Sequence, residues 1–383
     1  MIRIYICLLF FVFTLSACKR ESETNYVLKQ SNKELKFKLD NNVKSSIQVL
    51  FLYKDKNGKE YLTFQNQDLN EIYFYNIETC AFDFKITPPV EGNNGVGLFY
   101  GYYIHNLDSI FLTTNGIQEI SLINKEGEIV DKFEYFKTDD DVALNPFSSI
   151  SFVFQPIIAE NNKLYILSKC NRWNKINPVS ATLNLLNKQI DNLKFEYPKF
   201  PDADNKAKAF GIEAYFSRIL NNQSLIYSFF YDENIYISSL AKEQIRKIKI
   251  KSKYIDKIPL PNDYNSGTNL NTALRLWCES PNYGNLYYDK YRKVYYRIAY
   301  PQTEIEKNEN SMDIWLYGRK VFSIIIIDED FNIIGETLLP EYSFNSTLLF
   351  IREDGLYISN NHPINQGYND DILSFVRFDL LKK

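Results

Sequence analysis

Histidine is the residue most often asked to do chemistry at neutral pH, and the 383-residue chain has two, His105 and His362, far apart in sequence. A zinc centre or a nucleophile-base relay needs imidazoles placed with other ligands or nucleophiles, and no H-E-x-x-H pair, P-loop, dinucleotide fingerprint or G-x-S-x-G elbow is present. No catalytic residue, metal ligand or cofactor is therefore assigned. What remains is chemistry of recognition. Tyr100-Gly101-Tyr102-Tyr103-Ile104-His105, Cys170-Asn171-Arg172-Trp173-Asn174 and Arg275-Leu276-Trp277-Cys278-Glu279 with Tyr283 combine flat aromatic faces with charged hydrogen-bonding groups. Aromatic rings stack on sugar C–H surfaces, and Arg and Glu bind hydroxyls or carboxylates. The candidate ligand-binding residues are thus Tyr103, His105, Arg172, Trp173, Arg275, Trp277, Glu279, Tyr283 and, in an Asn361-His362-Pro363 turn, His362. Packing within the fold is the competing use for each.

Other clusters read as structure. Gly92-Asn93-Asn94-Gly95-Val96-Gly97 follows Pro88-Pro89 and precedes a tyrosine-rich strand, whereas a phosphate cradle needs helix N–H groups behind it. Asp139-Asp140-Asp141 offers hard oxygen ligands but lacks the spaced pattern of a calcium loop. Carboxylates are numerous enough for a glycosidase pair, so an envelope glycan or peptide hydrolase or lyase working through carboxylate or tyrosine groups stands as the alternative to a binding protein. The formal net charge is −3, and the single basic run, Arg246-Lys247-Ile248-Lys249-Ile250-Lys251-Ser252-Lys253, alternates cations with Ile as one solvated strand face would. Nucleic acid is not an expected partner. Cys80, Cys170 and Cys278 have neither disulfide-framework nor zinc spacing, although a Cys170–Cys278 bridge is open.

The elements that must position these residues are strands. Aromatic residues form 16% of the chain while Gly and Pro number 14 and 13, which favours sheet and excludes disorder. A unit recurs: an apolar-x-apolar-x-Asn/Asp run, a polar turn, and renewed alternation. It starts at Ile72, Ile120, Leu183 and Ile324, with weaker copies at Ile235 and Phe375. Turns such as Lys56-Asn57-Gly58, Lys125-Glu126-Gly127 and Glu353-Asp354-Gly355 suit hairpins. Four strands in roughly 40–50 residues make a propeller blade. The expectation is an all-β propeller of six four-stranded blades, or seven, closed by an N-terminal strand, Glu34-Leu35-Lys36-Phe37-Lys38-Leu39, beside the C-terminal one. Helical spacing is confined to 266–283, where Leu270, Ala273, Leu274 and Trp277 align, and to 207–220.

The N-terminus carries the strongest localisation signal. Arg3 opens an apolar run from Ile4 to Leu15, too short to span a bilayer, followed by Leu15-Ser16-Ala17-Cys18. This resembles the lipobox of bacterial lipoproteins, with cleavage before Cys18 and acylation of its thiol. The division expected is a signal peptide at 1–17, a lipidated polar tether at 18–32 and a propeller domain at 33–383. Lipobox, length and tyrosine-rich hairpins together resemble a family of uncharacterised β-propeller lipoproteins of Bacteroides-type bacteria, a domain of unknown function. That resemblance implies an outer-membrane lipoprotein, surface-exposed or facing the periplasm. Its partners would be the membrane, through the N-terminal lipid, and a glycan or an envelope protein.

Overall fold

Alternation along Glu34-Leu35-Lys36-Phe37 puts Leu35 and Phe37 on one face, and both are buried. They belong to β1 (Tyr26–Lys38), which pairs antiparallel with the C-terminal strand from Tyr26↔Lys382 to Lys38↔Ile372. The computed structural model describes residues 25–114, 117–144, 151, 155–168, 177–198, 215–242, 244–258, 270–306 and 309–383. The signal segment, Cys18, Cys170, Arg172 and Trp173 lie outside the described residues. Residues 26–32, read from sequence as tether, are within β1.

Four separate four-stranded antiparallel sheets follow. The first holds β2 (Leu50–Lys54), β3 (Glu60–Asn66), β4 (Glu71–Asn76) and β5 (Ala81–Ile86), and the second β6 (Phe99–Asn106), β7 (Ser109–Thr114), β8 (Glu119–Ile123) and β9 (Ile129–Glu134). The third holds β10 (Ile158–Glu160), β11 (Lys163–Leu167), β12 (Ser180–Asn184) and β13 (Ile190–Asn192). The fourth holds β14 (Phe216–Asn221), β15 (Ser224–Phe229), β16 (Asn234–Ser239) and β17 (Ile245–Lys249). Next come α1 (Leu270–Glu279), β18 (Asn282–Asp289), β19 (Val294–Tyr300), α2 (Ser311–Tyr317), β20 (Ser323–Asp328), β21 (Ile333–Leu338), β22 (Asn345–Arg352), β23 (Gly355–Ser359) and β24 (Ile372–Lys382). Their strands join β1 in one eight-stranded sheet, ordered β18-β19-β20-β21-β1-β24-β23-β22.

The arrangement is all-β and propeller-like, but the expectation of six or seven four-stranded blades is corrected: four such sheets and one nearly closed eight-stranded sheet are formed. The cause is local. β1 begins well before Glu34, and its first residue, Tyr26, bridges in parallel to Gly335 of β21. A side chain there would forbid the approach, since a Cβ on Gly335 would lie 2.1 Å from the Tyr26 carbonyl oxygen. The Leu28 amide adds a bond to Thr337 Oγ1 at 2.9 Å. The long interval between the repeats at Ile235 and Ile324 holds α1 and α2 rather than a further four-stranded unit, among the described residues. The helical reading of 207–220 is corrected over its last five residues, because Phe216–Asn221 is β14, with Phe216 and Leu220 packed in an aromatic cluster with Tyr227 and Phe229; 207–214 lie outside the described residues.

Middle strands are buried on both faces: β4 reads Ile72, Tyr73, Phe74 and Tyr75 all buried, and every residue of β19 is buried. Sheets stacked against two neighbours need apolar side chains on both sides, which is why aromatic residues are so abundant. The strands ending the first and fourth sheets, β5 and β17, are largely exposed, and the cations Arg246, Lys247 and Lys249 on β17 discourage edge pairing.

Between sheets the chain uses buried polar clamps. Arg218 of β14, 1% exposed, donates to the Ile166, Tyr165 and Pro156 carbonyls and to Ser180 Oγ of the third sheet, at 2.7–3.0 Å. Arg297 of β19 does the same for the fourth sheet. Glu336 of β21 accepts from Ser252 Oγ, Ser323 Oγ and the Lys253 amide, tying the segment after β17 to the eight-stranded sheet. Each clamp satisfies backbone groups that stacking would otherwise strand away from water.

Candidate functional site

Strand direction sorts the connections onto two ends. At one end lie tight hairpins: 107–108, 161–162, 222–223, 290–293, 329–332 and 353–354. Gly58 and Gly127, at φ +85° and +81°, supply the left-handed conformation for two others. At the opposite end lie the described parts of the long connections 39–49, 87–98, 135–157, 193–215, 250–281, 301–322 and 360–371, with both helices. The glycine-rich 92–97 stretch is part of that end, as an inter-sheet connection. Asp139-Asp140-Asp141 runs beside β13, its carboxylates bonding the Ile190 amide, Thr138 and Asn192, and Lys137. Among the described residues no group of three or more potential ligands is placed to hold a metal ion.

The sequence candidates separate between these ends. Tyr103 and His105 sit on the half of β6 that runs into the 107–108 hairpin; Tyr103 packs near Phe111 at 6.5 Å and His105 is exposed. Arg275, Trp277 and Glu279 lie together on α1 at the loop-rich end. Arg275 pairs with Glu279 one turn on at 3.0 Å and donates to the Glu306 carbonyl at 3.2 Å, while Glu279 accepts from the Ile305 amide. These bonds fasten α1 to the 301–322 connection. Trp277 presents edge contacts to Tyr215 at 5.6 Å, Tyr231 at 5.8 Å and Phe230 at 6.4 Å. Tyr283 is fully buried, its hydroxyl accepting from the Ser252 amide, its ring 3.6 Å from the Arg297 guanidinium.

His362 is buried beside Tyr342, ring centroids 5.3 Å apart, and Tyr342 donates its hydroxyl to Glu309. Burial lowers the His362 pKa from 6.5, opposed by the Gly318 backbone and the Glu309 charge. An imidazole depressed in the folded state binds fewer protons there than in the unfolded chain, so stability is full above pH 6.5 and falls as pH drops through and below it. Replacing His362 with Gln is expected to flatten that acid-side slope in denaturant midpoints measured from pH 7 to 5; an unchanged slope contradicts the assignment.

Several residues at this end stand outside the sequence candidates. Trp315 of α2 is 44% exposed, Leu276 of α1 46% and Ile364 55%. Tyr317 meets Tyr368 edge-on at 6.1 Å, joining α2 to the 360–371 connection, and Asn310 caps α2 by accepting from the Met312 amide. Arg319 anchors the helices, donating to the Ser280 carbonyl at 2.7 Å with its guanidinium 4.5 Å from the Tyr300 ring. Period counting on 301–322 could have flagged Trp315, since Asn310 followed by Ser-Met-Asp-Ile-Trp is a helix start.

A groove of about 610 Å³ lies between the second and third sheets, with Glu119, Lys132, Lys137 and Lys188 in its walls. Its three lysines are already paired: Lys132 with Glu119 at 3.0 Å, Lys137 with Asp141 at 2.5 Å and Lys188 with Asp131 at 2.8 Å. Cys80 is half-buried and Cys278 buried, each with its thiol pKa raised chiefly by burial, so neither is a poised nucleophile. No helix among the described residues is long and apolar enough to cross a membrane.

Comparison with known proteins agrees with the architecture. The model of the family described as a domain of unknown function (DUF4221) matches residues 25–338. A crystal structure of a DUF4221 member from Bacteroides vulgatus is 25% identical, with a TM-score of 0.80 over 94% of this chain and 100% of that one. A Bacteroides fragilis protein predicted to be exported shares the fold at 12% identity and a TM-score of 0.54, covering 94% of this chain and 97% of its own. No curated protein matches the chain.

Proposed function

We propose, from the premise that the chain belongs to the DUF4221 family, that it is an exported, lipid-anchored cell-envelope protein that binds a ligand through its loop-rich end, with carbohydrate as the ligand class. One observation carries the reading: the two ends of the molecule are built differently. Hairpins at one end are about two to five residues long, while the other end gathers the long connections, both helices and the exposed Trp315, Leu276 and Ile364. Loops supported by a rigid sheet scaffold are where recognition is usually placed. An indole partly open to solvent on a capped helix is a pre-positioned stacking surface. Export is supported by the Leu15-Ser16-Ala17-Cys18 sequence and agrees with the predicted export of the Bacteroides fragilis protein.

The test is a glycan array probed with the domain starting after Glu23. Retention on a defined subset is expected, and Trp315→Ala, at an exposed position, should weaken it about tenfold, equivalent to ~1.4 kcal/mol. Silence across the array, or binding indifferent to Trp315, overturns the carbohydrate reading.

A further inference from the structure

The position where the chain enters the fold sets which end can meet a bilayer. Asn25 accepts from the Lys383 amide at 2.6 Å, Tyr26 pairs with Lys382 and Gly335, and Leu28 is buried. The entry point is therefore fastened at the hairpin end, where β24 finishes beyond the 353–354 turn that joins β22 and β23. We propose that the protein sits on its membrane with the hairpin end toward the lipid and the loop-rich end directed away from it. This rests on the lipid-anchor reading above.

Lengths decide the matter. The chain between Cys18 and Asn25, fully extended, reaches about 25 Å. From the entry point to the loop-rich end is the length of β24, Ile372–Lys382, about 34 Å at a strand's rise. A tether shorter than the domain is tall cannot fold back along it and still leave the acyl chains in the bilayer. The domain is held upright by a short leash, not by any contact with headgroups. The consequence is a ligand or partner approaching from the side opposite the membrane, which fits an extended glycan or a protein in the surrounding compartment better than a lipid.

The full-length acylated protein, reconstituted in phosphatidylcholine/phosphatidylglycerol vesicles containing a headgroup-linked acceptor dye, tests this directly. A donor is attached through a genetically encoded azide residue at Asp108, in the 107–108 hairpin, or at Gln366, in the 360–371 connection; both are exposed. Energy transfer several-fold higher from position 108 is expected, and inserting about thirty Gly/Ser residues after Ser22 should erase the difference, because such a coil spans roughly 30 Å on average. Equal or reversed transfer in vesicle-bound protein overturns the orientation while leaving the anchor intact. Flotation of the vesicles separates the two claims: wild type should float and Cys18→Ala should not, and wild type that fails to float overturns the anchor and the orientation with it.

Discussion

Arg297→Ala is expected to cost about 3–5 kcal/mol of stability, among the largest effects of any single substitution. The side chain is fully buried on β19 and reaches into the fourth sheet. Its Nε donates to Ser228 Oγ at 2.9 Å; its terminal nitrogens donate to the carbonyls of Glu233 at 3.1 Å, Ile250 at 2.7 Å, Asp232 at 2.5 Å and Phe229 at 3.3 Å. Carbonyls, not a facing carboxylate, hold this charge. Burial pushes the guanidinium pKa down to about 10, which still leaves it protonated at neutral pH. Alanine would strand several buried acceptors at once and remove the cation from the Tyr283 ring. Arg297→Lys keeps the charge but loses the planar fork, and should recover less than half of the loss. Urea denaturation with a shared m-value measures both; a loss below about 1 kcal/mol for alanine would show that water replaces the clamp.

Removing β1 should do more. A chain beginning at Leu39 lacks Leu28, Leu35 and Phe37, all buried, and leaves β24 with an open edge. At about 1.5–3 kcal/mol for each side chain, the apolar loss alone is roughly 5–9 kcal/mol, comparable to the whole stability of a typical domain. Phe37 also meets Tyr75 and Phe375 edge-on at 5.9 and 6.1 Å, so one ring joins β1, the first sheet and β24. The truncated chain is expected to lose its cooperative unfolding transition, and a peptide of residues 25–38 added in trans should restore it. A truncated chain that unfolds sharply, within about 2 kcal/mol of the intact one, contradicts a closing role for β1.

Much of this was written in local patterns. The hairpin units, the pairing partner of Phe37, and the helix through Leu274 and Trp277 follow from periods of two and 3.6, because each places an apolar face where packing can use it. The merger of two sheets was not legible, since the Tyr26–Gly335 bridge is a backbone approach whose only trace is a missing side chain. Phe216–Asn221 misled because Ala, Phe and Ile near a polar stretch satisfy helical spacing, yet aromatic neighbours on β15 made it a strand. At the candidate site, residue type indicated chemistry without indicating place. Trp277 and Tyr283 have the composition of a sugar platform, but one lies edge-on among Tyr215, Phe230 and Tyr231 and the other under Arg297. Trp315 lies on α2, which packs against the helix that carries Trp277, and a helix of seven residues leaves little periodicity to read. Arg218 and Arg297 look like surface residues in a sequence; only the stacked sheets reveal them as clamps on carbonyls.

Both proposed jobs, a leash at the hairpin end and recognition at the loop-rich end, depend on the N-terminal strand being locked against β24. Hydrogen–deuterium exchange on the intact domain reads that lock most directly. The amides of 34–38 and 373–378 that lie in the β1–β24 ladder should exchange only through global unfolding, as slowly as those of β19, a fully buried strand of the same eight-stranded sheet. Exchange of 34–38 on the timescale of a fraying terminus, while β19 stays protected, would mean that the strand is an adornment and that neither end of the molecule is where the account places it.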